Sequence, residues 1–226
     1  MVGDFSRMMR DVAGPKPFWM TLQIAFSGTA KPGQTLRMPT LPEQRFMAYE
    51  AIINGSRGLT YFGGALPQTL NERDRKLGFN WTYWDRVMKP LLEEIGPKSP
   101  IELALVAPDS KLKVTVAPEA PPKRKVATKE EEMKKTPSVP PEFVQDATTN
   151  DIGAMEWLVR EVGSDVYVLA CKKEGPTMHV RFSGLPQDCK VGSVVFEEPR
   201  TVAASNGSFT DWFGPFEVHV YRFSGK

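Results

Sequence analysis

The chain has 226 residues, enough for one large domain or two small ones, and its 41% hydrophobic and 25% charged content fits a folded core rather than wholesale disorder. Its 29 basic and 27 acidic residues leave a net charge of +2, so it has no long-range field to steer nucleic acid or an anionic membrane. No apolar run reaches the roughly 18 residues needed to span a bilayer.

Met1-Val2-Gly3-Asp4-Phe5 has an early acid and no apolar segment after it, so it does not read as a signal peptide. Residues Met1 to Ala13 instead predict a short amphipathic helix, with Val2, Phe5, Met9 and Val12 on its apolar side and Gly14-Pro15 as its stop. Pro17 to Phe26 is an almost continuous apolar run of strand length, the pattern of a strand buried on both faces in a parallel sheet. After a polar loop, Thr40 stands three residues before Glu43, a capping-box spacing, and Pro42 lies in the first turn. The helix that follows carries Phe46, Tyr49, Glu50 and Ile53 on one side, broadened by Met47 and Ala51, and stops at Asn54-Gly55. Gly58 to Phe62 reads as a second buried strand. A third helix runs from about Asn80 to Ile95, with a kink expected at Pro90 and a stop at Gly96-Pro97. Helix and strand thus alternate in the manner of parallel β/α units.

The character changes after Pro100. Residues 117–150 are rich in Pro, Lys, Glu and Thr and keep no apolar period, so they read as a linker or long surface loop. The basic triplet Lys123-Arg124-Lys125 is offset by neighbouring acids. Short strands follow at Glu156–Arg160, Val166–Ala170, His179–Phe182, Ser193–Phe196 and Phe216–Tyr221, a spacing that predicts an antiparallel sandwich or small barrel formed by 101–116 and 151–226. Cys171 and Cys189 form neither a metal-ligand spacing nor a CxxC pair and read as two buried thiols, with a single disulfide as the alternative in an exported protein.

Three stretches carry a resemblance. Lys16 to Gln23 resembles the seventh strand of a glycoside-hydrolase (β/α)8 barrel. Arg37 to Phe62, with Gly55 and Gly58 flanking the approach to the strand, resembles the seventh helix and eighth strand of β-galactosidase-like barrels, and Gly207 to Tyr221 is similar to the last strands of the β-sandwich that follows such barrels. The resemblance implies a partial (β/α) barrel over 1–100, made of the last helix of unit six and units seven and eight, followed by an antiparallel β-sandwich. A full barrel takes about 250 residues, so a missing barrel portion or a second copy of the chain is an implied partner. Related proteins are often exported, which leaves the compartment open.

Glycoside hydrolysis uses a pair of carboxylates about the scissile bond. In retaining barrel enzymes of the resembled kind, one stands at the end of strand four, which this sequence lacks, and the nucleophile at the end of strand seven. Here Gln23 occupies that place, and an amide can neither form a glycosyl ester nor act as a carboxylate base. No catalytic residue is therefore assigned. Gln23, Phe26, Tyr61 and Phe62, at the ends of the two strands, are the candidate sugar contacts, each also readable as ordinary core or rim, and only one of Tyr61 and Phe62 can face the barrel interior. Glu43 reads as the capping partner of Thr40, Glu50 as lying outside the barrel mouth, and Trp81 and Trp84 as packing. His179 and His219 read as structural, and Asp211 as a turn residue bonding local amides. No cofactor, metal, nucleic-acid or membrane partner is implied; the expected ligand is carbohydrate. The function implied is that of a piece of a glycoside-hydrolase-like protein not active alone, the alternatives being a non-catalytic carbohydrate-binding or scaffold module, or a truncated product with no independent function.

Overall fold

The computed structural model describes residues 2–24, 32, 38–62, 79–119 and 152–225. Its first part is helical with one pair of parallel strands: α1 (Val2–Ala13), β1 (Trp19–Gln23), α2 (Leu41–Ile53), β2 (Gly58–Phe62), α3 (Phe79–Tyr83), α4 (Lys89–Ile95) and α5 (Glu102–Val106). β1 and β2 run parallel, with Trp19 opposite Gly58 and Gln23 opposite Phe62. The second part holds β3 (Thr115–Pro118), β4 (Met155–Val162), β5 (Asp165–Lys172), β6 (Met178–Ser183), β7 (Val191–Val195), β8 (Thr201–Ala203), β9 (Ser208–Phe213) and β10 (Val218–Ser224). These form a five-stranded sheet, β4-β5-β10-β7-β8, and a three-stranded sheet, β3-β6-β9, antiparallel throughout. Ala117 and Pro118, which open the linker in the sequence reading, belong to β3, and Glu119 pairs with Arg181 of β6; residues 120–150 lie outside the described residues. Residues 102–106, assigned to the sandwich by sequence, form α5 in the helical layer, with Ala104 and the preceding Ile101 buried against the five-stranded sheet.

α2 sets the arrangement. Glu43 accepts the Thr40 amide at 2.8 Å and the Thr40 hydroxyl at 2.9 Å, fixing the helix start. One side of the helix places Phe46, Tyr49 and Ile53 against Tyr167, Leu169 and Cys171 of β5 and Val218 and Val220 of β10. The other places the small residues Ala48 and Ala51 against Leu22 of β1 and Leu91 of α4. A helix that is apolar on both sides is buried between layers, and each large side chain so enclosed contributes about 1.5–3 kcal/mol. β5 is covered on both faces in consequence, by α2 outside and by the sandwich core inside, so seven consecutive residues from Val166 to Lys172 are buried. β6 lies in the outer sheet and alternates between buried and accessible positions. Between the two sheets, Phe182, Phe209 and Tyr221 pack ring against ring, with centroids 4.7–6.0 Å apart.

Several expectations are corrected. Of the apolar stripe of α1 only Val2 packs against the core: Phe5, Met9 and Val12 are exposed, and the buried positions are Gly3 and Ser6. β1 and β2 are not buried on both faces, because helices cover one side of a sheet only two strands wide; Trp19 and Phe62 are each 65% exposed. Trp81, expected to pack, is also 65% exposed, whereas Trp84 lies against the cluster of Ile24 and Tyr83. Asp211 sits within β9 rather than a turn. It does accept the local Trp212 amide at 2.9 Å, but its other oxygen takes the Tyr221 hydroxyl at 2.8 Å and Arg200 at 2.7 Å. The strain at Pro90 appears upstream as a π-helical turn, Trp84–Met88, in which the Lys89 amide reaches back to the Trp84 carbonyl. Cys171 and Cys189 are free and buried.

α1 is held by a buried knot of charge. Glu156 on β4 receives Arg7 of α1, Asn54 Nδ2 at 2.5 Å and Lys173 at 2.7 Å, while Arg7 also donates to Asn54 Oδ1 at 2.8 Å. Burial pushes the Glu156 carboxyl upward, but the hydrogen bonds from Lys173, Arg7 and Asn54 outweigh it and hold the group below the usual range. Gly3 lies directly on this knot: a Cβ there would stand 2.8 Å from Glu156 Oε2 and Glu50 Oε1 and 2.9 Å from Asn54 Nδ2.

Two predictions follow from the knot. Gly3→Ala, favoured by helix propensity by about 1 kcal/mol, is expected to destabilise the chain by about 1–3 kcal/mol because the helix must lift off its contacts; urea denaturation checks the sign. The depressed Glu156 group contributes stability that is fully present above the unfolded carboxyl pKa of about 4.3 and is lost as pH falls through its lower folded value. Glu156→Gln is therefore expected to lower stability at pH 7 by about 2–3 kcal/mol, discounted for the partial exposure of Arg7 and Lys173, and to flatten the acid limb of a stability–pH curve.

Candidate functional site

Alternation along β1 and β2 divides their side chains between two faces. Met20 and Leu22 with Leu59 and Tyr61 turn toward α2 and α4. Trp19, Thr21 and Gln23 with Thr60 and Phe62 occupy the other face and are all exposed. The Thr21 and Thr60 hydroxyls bond across the pair at 2.8 Å. Gly58 gives the Trp19 ring its place, since a Cβ there would come within 2.6 Å of the indole. The result is an indole at one end of the face, a threonine pair in the middle, and Gln23 beside Phe62 at the C-terminal end.

Of the residues chosen from sequence, the structure brings Gln23 and Phe62 together on this open face. Tyr61 lies on the helix side, which settles the choice between it and Phe62. Its hydroxyl is buried without a hydrogen-bond partner, and burial pushes it up to about 12. Phe26 lies outside the described residues. Trp19, Thr21 and Thr60 share this face and were not named from sequence, although counting back in twos from Gln23 reaches Thr21 and Trp19 directly. Glu50, placed by sequence outside the barrel mouth, is 1% exposed and faces Gly3 and Glu156 at the knot; burial raises its carboxyl.

The two histidines lie in the sandwich, away from this face. His179 stacks on Trp212 with centroids 4.6 Å apart. His219 has Glu197 at Nδ1 and the Trp212 carbonyl 3.2 Å from Nε2. The Glu197 carboxyl is pushed up by burial but held lower on balance by His219 and Arg200. Among the described residues, no cluster of His, Cys, Asp and Glu is placed to hold a metal ion, and no helix is long and apolar enough to cross a membrane.

The geometry defines a parallel β/α pair with its helical layer packed on an antiparallel β-sandwich. No family model matches the chain, and no curated protein matches it. Solved structures similar to it are glycoside hydrolases. One is an α-amylase from Geobacillus thermoleovorans complexed with acarbose, 12% identical, covering 82% of this chain and 34% of that one with a TM-score of 0.42. Another is a GH30 endoxylanase from Clostridium papyrosolvens C71, 9% identical, covering 100% and 46% with a TM-score of 0.40. A third is the GH30 subfamily 8 xylanase Xyn30A from Clostridium acetobutylicum, 10% identical, covering 93% and 43% with a TM-score of 0.38. The chain thus spans between a third and a half of the length of these proteins, and no residue role is transferred from them.

The orphaned Tyr61 hydroxyl generates a prediction. Removing a buried hydroxyl that bonds nothing is expected to be neutral or stabilising, by up to about 1 kcal/mol. Tyr61→Phe should raise or hold the midpoint of thermal unfolding; a loss of more than that would give the hydroxyl a role that the packing does not.

Proposed function

We propose that this chain is the closing part of a glycoside-hydrolase-like (β/α) barrel with its attached β-sandwich, and that the open face of β1 and β2 contacts carbohydrate without cleaving glycosidic bonds on its own. The observation that carries the reading is the placement of Gln23 and Phe62 side by side at the C-terminal ends of two parallel strands, the end at which barrel proteins bind their ligands. A sugar ring needs an apolar surface for its C–H face and planar hydrogen-bonding groups for its hydroxyls. Phe62 supplies the first and Gln23 the second. The carbohydrate class itself comes from the resemblance of Lys16–Gln23, Arg37–Phe62 and Gly207–Tyr221 to such proteins.

Two further features support an incomplete barrel. The open face bears Trp19 and Phe62 in water, and α1 presents Phe5, Met8, Met9 and Val12 outward at helical spacing. A further set of β/α units, on the same polypeptide or another, would cover both.

The test pairs calorimetric titration with malto- and xylo-oligosaccharides and an assay on chromogenic glycosides. Binding without turnover is expected, with Gln23→Ala and Phe62→Ala each weakening it about tenfold, an order of magnitude in keeping with the loss of one polar or stacking contact. Turnover abolished by substitutions on this face would overturn the non-catalytic part of the reading. Equal affinities for the variants and the parent would overturn the site. Unfolding of the parent chain without a cooperative transition would favour a truncated product instead.

A further inference from the structure

Three arginines from three segments converge on one carboxylate beside the N-terminal ends of β1 and β2. Asp109, which follows α5, is set against Arg160 of β4 by an isolated antiparallel bridge and accepts a hydrogen bond from Arg160 Nη1. Arg57 stands just before β2, its amide bonded to the Phe18 carbonyl before β1, and its Nη2 lies 3.6 Å from the same Asp109 oxygen. Arg10, in the last turn of α1, lies along Gly55, where a Cβ would meet its Cδ at 3.1 Å. The hydrogen bond from Arg160 holds the Asp109 carboxyl below the usual carboxylate range against the opposing effect of burial, and the charges of Arg160, Arg57 and Arg10 add to it. Gln23 and Phe62 stand at the opposite ends of the two strands, so what this cluster binds does not rest on the carbohydrate reading.

Charge and reach decide what fits there. Three guanidinium groups face one carboxylate, and the nearby C-terminal ends of α1 and α2 each return about half a negative charge, which leaves roughly one positive charge in surplus. That surplus is loosely held. The Arg160 side chain is 3% exposed and its Nε has no hydrogen-bond partner among the described residues, so a buried charge leans on a carboxylate that is itself 74% exposed. Arg57 is 39% exposed, and besides its long contact to Asp109 its Nη1 lies 3.5 Å from the Ala107 carbonyl; both distances exceed those of a good charge-assisted bond. Arg10 is exposed as well. A guanidinium presents its N–H donors in a planar fork that matches the oxygens of a phosphate group, and here two such forks reach water.

We propose that Arg10 and Arg57, with the buried charge of Arg160 behind them, bind a phosphate group, free or carried as a monoester. The anion bridges the two exposed guanidinium groups and competes for them with Asp109.

The probes are inorganic phosphate and glycerol phosphate, titrated calorimetrically into the whole chain at pH 8, where both are largely dianions, against acetate at the same ionic strength so that screening is constant. Saturable binding of phosphate is expected, about tenfold or more tighter than acetate. Glycerol phosphate binding tighter than inorganic phosphate supports a monoester ligand; the reverse order supports free phosphate. Arg57→Gln and Arg10→Gln each remove one fork and should weaken phosphate about five- to tenfold. Asp109→Asn removes the competing charge and should strengthen it about fivefold. That variant also takes the carboxylate from Arg160, so circular dichroism checks that each variant is folded, and the two surface arginine variants decide alone where Asp109→Asn is not. Phosphate binding no tighter than acetate, phosphate affinity unaltered in folded Arg57→Gln and Arg10→Gln, or a folded Asp109→Asn that binds phosphate no better than the parent would each overturn the proposal.

Discussion

The structure depends on one helix having two apolar sides. α2 presents Phe46, Tyr49 and Ile53 to the five-stranded sheet and Ala48 and Ala51 to β1 and α4. The division of size is physical. Large side chains fill the space above a broad, twisted sheet, while alanines let the helix axis come close to a narrow parallel pair. Because both sides are satisfied by different layers, α2 ties the β/α part to the sandwich through hydrophobic contact, and the two parts share one core.

Charge supplements this seam rather than creating it. Arg7 of α1, Glu156 of β4, Asn54 just past α2 and Lys173 just past β5 meet beside Gly3. Removing a carboxylate from water is costly, and the arrangement holds only because each of its oxygens has a donor. The seam also encloses Arg45 and Glu94, again paired. Swapping such a pair for apolar residues is often neutral, whereas losing one partner is costly; here the guanidinium of Arg7 fastens α1 by reaching Glu156 and Asn54 together.

Much of the fold was legible in the residues because burial leaves a period. The capping pair Thr40–Glu43, the glycines closing α2 and the strand Gly58–Phe62 follow from local chemistry alone. The unbroken apolar run Val166–Ala170 belongs to a strand covered on two faces and the alternation His179–Phe182 to one covered on one, a difference that reading both as short sandwich strands does not draw. What hydrophobic period could not show is packing through small or polar residues. Apart from Val2, the apolar stripe of α1 pointed away from the core, and the buried positions are Gly3 and Ser6. The apolar run around β1 suggested two covered faces, but the number of helices available to cover them is a property of the whole chain. At the open face, Gln23 and Phe62 could be named because they end their strands, and the alternation that sends Tyr61 to the opposite side was legible as a choice between it and Phe62 but not as to which. Asp211 was read from its neighbours as a turn, when its partners Arg200 and Tyr221 lie on other segments.

The bond from Arg45 to the Val218 carbonyl joins residues 173 apart in the chain. During synthesis at about 5–20 residues per second, α2 emerges on the order of ten to thirty seconds before the strand that completes its cover. For most of that interval Phe46, Tyr49 and Ile53 have neither β5 nor β10 to rest on. Contacts of such long sequence separation also slow the search for the native state once the chain is free. The two-sided helix that unites the finished molecule therefore spends much of its synthesis with its larger side uncovered.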